Sequence, residues 1–216
     1  VFPLPGSVFV HNRLTHSLEV ASVGRSMGSL VVDRLLGTQE RKIQPLFLEI
    51  PTIVSTVCLA HDLGNPPFGH SGEDAIRHFF THNIHQFKNS LTTAEQLDLT
   101  QFEGNANSFR LLSNSFKGRR SGGFGLSYAT MSALVKYPWE SSMGIEKKKF
   151  GFFQADKFIF EQIASATGLI NGDRFYRHPL VYLMEAADDI CYNIMDLEDA
   201  HKLGIISTQR VMELLY

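Results

Sequence analysis

Two segments towards opposite ends of the chain, HSLEVASVGRSMGSLVVDRLL (16–36) and PLVYLMEAADDICYNIMDLEDAHKL (179–203), repeat apolar residues at helical spacing along their whole length. Helices this long must bury a face, so each demands a helical partner. In the first, Leu18, Ala21, Val23, Met27, Leu30, Val31 and Leu35 form the expected buried stripe. A third segment, IPTIVSTVCLAHDLG (50–64), is apolar nearly all round. Pro51 suits its first turn, and Gly64 followed by Pro66 and Pro67 stops it. The helix restarts in SGEDAIRHFFTHNIHQF with Ser71 as the expected N-cap and Glu73 and Asp74 near its positive end. Further helices are read in TAEQLDLTQFEGNANSFRLLSN, in LSYATMSALVKYP up to Pro138, and in QADKFIFEQIASATGL. No alternation of strand and helix, no internal repeat and no low-complexity tract appears, so the expected fold class is all-α. At 216 residues with 44% hydrophobic content, the chain is read as one helical domain with a sizeable core, 1–216.

Charge narrows the function classes. Twenty basic against 22 acidic residues leave a net charge of −2, so no bulk charge points to nucleic acid or a membrane surface. An anionic ligand must be met by local cations. There is no apolar run of membrane-spanning length and no signal-peptide pattern at the N-terminus, and the two cysteines, Cys58 and Cys191, sit inside apolar helical segments. The reading is a cytoplasmic protein with reduced core thiols. The chain starts without Met and stops within an apparent helix, STQRVMELLY, which reads as a fragment truncated at both ends.

The chemistry lies where the apolar helices end. His16 opens one, His61 and Asp62 close another, and Asp188 lies in a third. Two imidazoles and two carboxylates on elements that should pack together make a mixed nitrogen and oxygen ligand set, suited to Mn²⁺, Mg²⁺, Fe²⁺, Ni²⁺ or Zn²⁺. In the 179–203 helix, Asp188, Tyr192 and Asp196 fall within about 80° of one another, stacking two carboxylates and a phenol along one face. The Gly-Asn-Pro-Pro break reverses the chain after His61 and Asp62, so that His70 returns to the same pocket with Glu73 three residues on to orient its imidazole.

Four segments in order, HNRLTHSLEVASVGRSMG, LAHDLGNPPFGHSGEDAI, FEGNANSFRLL and YLMEAADDICYNIMDLEDA, together resemble the HD-domain deoxynucleoside triphosphate triphosphohydrolases of the bacterial dGTPase type. The resemblance implies a helical HD domain that holds a divalent metal, Mn²⁺ or Mg²⁺ foremost, and hydrolyses a dNTP, dGTP favoured, to deoxynucleoside and inorganic triphosphate. It carries the metal ligands onto His16, His61, Asp62 and Asp188. Asp188 is preferred to its neighbour Asp189 because the family motif places a substrate-contacting Tyr four residues after the ligand and an Asp eight after it, which Tyr192 and Asp196 match. Those two side chains are implied to contact the sugar. The His70–Glu73 pair is implied to do acid–base work at the α-phosphate, either protonating the departing 5′-oxygen or managing the attacking water. Arg13, Lys136, Tyr137 and Lys149 are implied phosphate or sugar contacts, with Asn65 and Asn105 as further substrate contacts. The resemblance also implies a homo-oligomer, a substrate-contacting segment upstream of VFPLP, helical sequence beyond Tyr216, and a single-stranded DNA effector for which FKGRRSGG (116–123) would be the basic loop. Two other readings stand beside it: another HD-family nucleotidase or phosphodiesterase, which needs neither the Tyr192/Asp196 nor the His70/Glu73 pair, and a non-catalytic regulatory or nucleic-acid-binding module.

Overall fold

The computed structural model describes residues 11–37, 44–118, 122–143 and 149–215. Among the described residues the architecture is all-α, apart from one two-stranded hairpin. The first long helix, α1 (Arg13–Leu36), is started by a capping box. Asn12 Oδ1 accepts from the Leu14 and Thr15 amides at 2.9 and 3.1 Å, and Thr15 Oγ1 accepts the Asn12 amide at 2.9 Å. The short helix α2 (Gln44–Phe47) leads into α3 (Ile50–Ala60), which carries Pro51 in its first turn. Beyond the break come α4 (His70–Asn83), α5 (Thr93–Thr100), α6 (Gly104–Ser113), α7 (Tyr128–Leu134), α8 (Lys157–Ala166), the long α9 (Val181–Lys202) and α10 (Thr208–Leu215).

The buried stripe of α1 differs from the one its apolar residues predict. Leu18 and Leu30 are 52% and 69% exposed, while Ser17, Val20, Ala21, Gly24, Gly28 and Val32 are buried. The reason is close approach. A Cβ on Gly24 would come within 2.5 Å of Cys58 Sγ, and one on Gly28 within 2.8 Å of the Pro51 Cα. A seam of small residues lets α1 lie almost on the backbone of α3, and bulky leucines are turned outwards.

The main core joins α1, α3, α7, α8 and α9 through residues such as Val20, Val54, Cys58, Leu134, Phe160 and Met184. The Phe152 and Phe160 rings stack at 4.0 Å, and Phe109 and Phe175 meet Phe160 edge-on. Cys58 and Cys191 are free and buried as expected, and burial pushes the Cys58 thiol up to about 12. The hairpin pairs Ile170 with Phe175 and Asn171 with Arg174, through a two-residue loop whose Gly172 has φ +59°. Its signal, Gly-Asp in INGDRF, is a hairpin turn signature. None of the described helices is long and apolar enough to cross a membrane.

Candidate metal centre

The small-residue contact of α1 with α3 sets the geometry of the site, because it brings His16, in the first turn of α1, beside His61 at the C-cap of α3. Their ring centroids are 5.6 Å apart at 70°. Asp188 of α9 closes the group, its Oδ1 lying 3.1 Å from His16 Nε2 and 3.4 Å from His61 Nε2, while Asp62 Oδ1 lies 3.5 Å from the same His61 nitrogen. The structure thus brings together all four expected ligands, and it is Asp188 that faces them while Asp189 is exposed.

His61 Nδ1 lies 2.6 Å from the Cys58 carbonyl oxygen. A carbonyl only accepts, so Nδ1 carries the hydrogen, and a neutral ring then turns its Nε2 lone pair towards two carboxylate oxygens. Around them, Asn65 Nδ2 donates to Asp62 Oδ1 at 2.6 Å and His16 Nε2 lies 3.1 Å from Asp188 Oδ1. Burial works against a charge on His61, but the Asp188 and Asp62 carboxylates and the Cys58 carbonyl outweigh it and raise its pKa. The Asp188 carboxyl is held well below the usual range, the two imidazoles and Lys136 overriding the opposing effect of burial. The 3.1–3.5 Å separations between these nitrogen and oxygen atoms match the spacing of neighbouring donors around a cation with bonds of about 2.0–2.2 Å. His16 Nδ1 is buried without a hydrogen-bond partner. A divalent cation fits this donor set by charge, by ligand type and by geometry.

The Gly-Asn-Pro-Pro break is built to hold that corner. Gly64 sits against α6, where any Cβ would run into the Ser108 amide and the Gly104 carbonyl. Its own amide donates to Ser108 Oγ at 2.8 Å, its carbonyl accepts from Asn107 Nδ2 at 2.9 Å, and Ser108 Oγ donates to the His61 carbonyl at 3.2 Å. Phe68, 76% exposed, takes the left-handed φ of +68° just before Gly69 at +56°. Gly69, rather than the expected Ser71, is the N-cap of α4.

The other predicted site residues lie at varying distance from this centre. Lys136 is at the centre, its Nζ 3.7 Å from Asp188 Oδ2. Tyr192 and Asp196 share a hydrogen bond that raises the Tyr192 pKa, and both stand exposed on α9, one and two turns beyond Asp188. Arg13 and Asn65 brace the corner: Arg13 Nη1 and Nη2 donate to the Asn65 and Pro66 carbonyls at 2.6 and 3.2 Å, and Asn65 Nδ2 donates to Asp62 Oδ1 at 2.6 Å. Lys149 and Asn105 meet at the Glu103 carboxylate, and the Tyr137 ring packs 5.6 Å from that of Trp139, half-buried with its pKa raised by burial.

The expected His70–Glu73 pairing is not formed. Glu73 is only 2% exposed, and its carboxylate accepts from the Gly104 amide at 2.8 Å and from Arg77 at 3.0 Å, while His70 is exposed at the start of α4. On a helix, the residue four on competes directly for a carboxylate, and Arg77 is the better partner. Arg77 and Glu103 were not among the residues expected from the sequence; the Glu73–Arg77 spacing of four is the signal that points to the first of them. The basic loop expected over 116–123 falls partly outside the described residues, at Arg119, Arg120 and Ser121, as does the VFPLP segment.

No family model matches the chain. It is similar to a deoxyguanosinetriphosphate triphosphohydrolase-like protein of Pseudomonas aeruginosa, 45% identical over 222 residues that cover 100% of this chain and 50% of the relative. A protein of the same name from Synechocystis sp. is 41% identical over 100% of the chain and 52% of its own length. A deoxyguanosinetriphosphate triphosphohydrolase of Yersinia pestis is 34% identical over 99% and 48%. The chain therefore spans about half the length of the curated relatives it matches.

Proposed function

This chain belongs to the family of deoxyguanosinetriphosphate triphosphohydrolase-like proteins, and from that premise we propose that the whole protein hydrolyses a deoxynucleoside triphosphate, dGTP favoured, with a divalent cation held by His16, His61, Asp62 and Asp188. The products are the deoxynucleoside and inorganic triphosphate, one water being consumed as the bond between the α-phosphorus and the 5′-oxygen breaks. The observation that carries the reading is the convergence of His16, His61, Asp62 and Asp188, with the His61 ring fixed by the Cys58 carbonyl so that Nε2 faces two carboxylates.

When bound, a divalent cation supplies Lewis-acid polarisation of a phosphoryl oxygen and lowers the pKa of water, Mn²⁺ or Mg²⁺ being the ions proposed. The chain's own residues do the rest. Lys136, held beside Asp188, offsets part of the roughly four negative charges of the triphosphate. Tyr192 packs on the deoxyribose, and Asp196, hydrogen-bonded to it, accepts from the 3′-hydroxyl. His70, whose ring is not committed to Glu73, gives a proton to the departing 5′-oxygen. Arg13 and Asn65 act at one remove, fixing the loop that presents Asp62.

The test is to incubate the full-length protein with each of the four dNTPs and Mn²⁺ or Mg²⁺ and to resolve the phosphate products. Inorganic triphosphate without pyrophosphate is the expected result. Pyrophosphate or orthophosphate as the first product refutes the proposed bond choice.

A further inference from the structure

We propose that Glu103 is a positioning residue that pre-sets two substrate contacts, Lys149 and Asn105, on a single buried carboxylate; this rests on the reading above that those two side chains meet the nucleotide. Glu103 is fully buried, at 0% exposure, yet its carboxylate meets polar groups. Asn105 Nδ2 donates to Oε1 at 2.5 Å, Lys149 Nζ lies 3.1 Å from Oε1 and 3.0 Å from Oε2, and Arg77 Nη2 lies 3.7 Å from Oε2. Lys149 and Asn105 are far apart in the sequence, and this acid is where their polar ends converge.

Glu103 is itself held from α4, the helix that begins at His70. On one side, the Phe102 carbonyl accepts from Arg77 Nε at 2.8 Å; on the other, the Gly104 amide donates to Glu73 Oε1 at 2.8 Å. The peptide units flanking Glu103 are therefore both tied down. Gly104 is also wedged against the metal corner: a Cβ there would run into Asn65 Oδ1 and approach Glu73 Oε1 to 2.9 Å, and the same Asn65 amide holds Asp62. One rigid unit thus connects the loop presenting Asp62 with the carboxylate carrying Lys149 and Asn105.

The charge count explains what this does for a triphosphate. Two buried carboxylates, Glu73 and Glu103, share Arg77, and Lys149 supplies the second cation. The Lys149 side chain keeps 28% of its surface exposed. An ammonium has three donors, so contact with one carboxylate leaves at least one for a phosphate oxygen. A lysine already held in place gives up less rotamer freedom when ligand arrives than one that waves in solvent. Glu103 therefore acts on binding, through Lys149 and Asn105, and not on the bond-breaking step.

The experiment is a double-mutant cycle in the full-length, metal-loaded protein, using Glu103→Gln, Lys149→Ala and both together. Glu103→Gln is expected to raise KM for the dNTP about tenfold with kcat altered less than about threefold. The double variant should lose clearly less than the product of the two single losses, because the part carried by Lys149 is removed only once and only the part carried by Asn105 adds. Multiplicative losses, or a fall confined to kcat, overturn the proposal. Should Glu103→Gln fail to fold, Glu103→Asp, which retracts the carboxylate and keeps its charge, takes its place in the cycle. A second measurement is independent of turnover: amine acylation of Lys149, followed by mass spectrometry without nucleotide, should run several-fold faster in the Glu103 variant, and equal rates overturn the proposal. If the wild-type protein releases triphosphate from no dNTP, the functional reading fails while the acylation rates still decide whether Glu103 holds Lys149.

Discussion

The corner of His16, His61, Asp62 and Asp188 and the Glu73–Arg77–Glu103 network lie back to back across Gly104; the network buries its two carboxylates, and the corner leaves its two partly exposed. They differ in what faces the acids. In the network the acids face the protein's own cations: Arg77 beside the Gly104 amide for Glu73, and Lys149, with Asn105 and the more distant Arg77, for Glu103. At the corner the acids look at imidazole nitrogens, the one hydrogen fixed on His61 points away to Cys58, and Lys136 reaches Asp188 from 3.7 Å. Burying charge is costly unless it is paired. The network meets that cost with the protein's own cations, whereas the corner sets its acids against imidazole nitrogens, the donor set that the proposed cation would use.

The sharpest way to break this comparison is to remove an acid from the corner. Asp188→Ala is expected to lose bound metal and to reduce turnover about 10³-fold, several kcal/mol of transition-state stabilisation; retained stoichiometric metal by elemental analysis would contradict the ligand assignment. Next in size, removing a cation from the network should unfold it: Arg77→Met strands Glu73 and Glu103 and is expected to cost about 3–5 kcal/mol in urea denaturation. Because that network is closed to metal, saturating Mn²⁺ should stabilise wild type and Arg77→Met by the same increment, about 2.7 kcal/mol at a hundredfold excess over Kd, and should leave Asp188→Ala unmoved. His70→Ala tests the division of labour at the break, with turnover down about 10²-fold and metal content intact. Equal metal contents in His70→Ala and Asp188→Ala would erase the distinction between the two residues.

A third buried acid, Asp98, gives the smallest effect and an intermediate case. It accepts from Ser141 Oγ at 2.7 Å and from the Gln154 amide at 2.6 Å. Burial outweighs those neutral donors and raises its carboxyl from 3.8 to about 6. The folded protein therefore holds a proton that the unfolded chain releases, so the stability owed to Asp98 is complete below about pH 4 and is lost as pH rises through about 6. The unfolding free energy of wild type relative to Asp98→Asn should fall by on the order of 2 kcal/mol between pH 4 and pH 6.5. A flat difference across that range would show that neutral donors suffice for a buried carboxylate.

The helices around the site were legible because each is written locally. The apolar period runs through 16–36 and 179–203, Pro51 opens α3, and the glycine and prolines after Asp62 end it. The hairpin at Ile170–Phe175 escaped the reading although Gly172-Asp173 signals it, since strands of two residues carry no period. The α1 stripe was misread for a different reason. Apolar spacing marks a face but not how near its partner will lie, and here closeness selected Gly24 and Gly28 over Leu18 and Leu30. The pairing of Glu73 was misassigned because His70 and Arg77 are both within helical reach of it, and only the burial of Glu73 beneath Gly104 favours the arginine.

Taken by itself, the chain's order of residues determined that long helices form, where they break, and that imidazoles and carboxylates stand at their ends; propensity, capping and chain stops act over a few neighbours and need nothing more. Only the tertiary structure decided that Arg77 takes Glu73 and that Lys149 and Asn105 meet on Glu103. Those choices depend on which groups burial brings together, and that is set by how closely small residues such as Gly104 let the backbones approach.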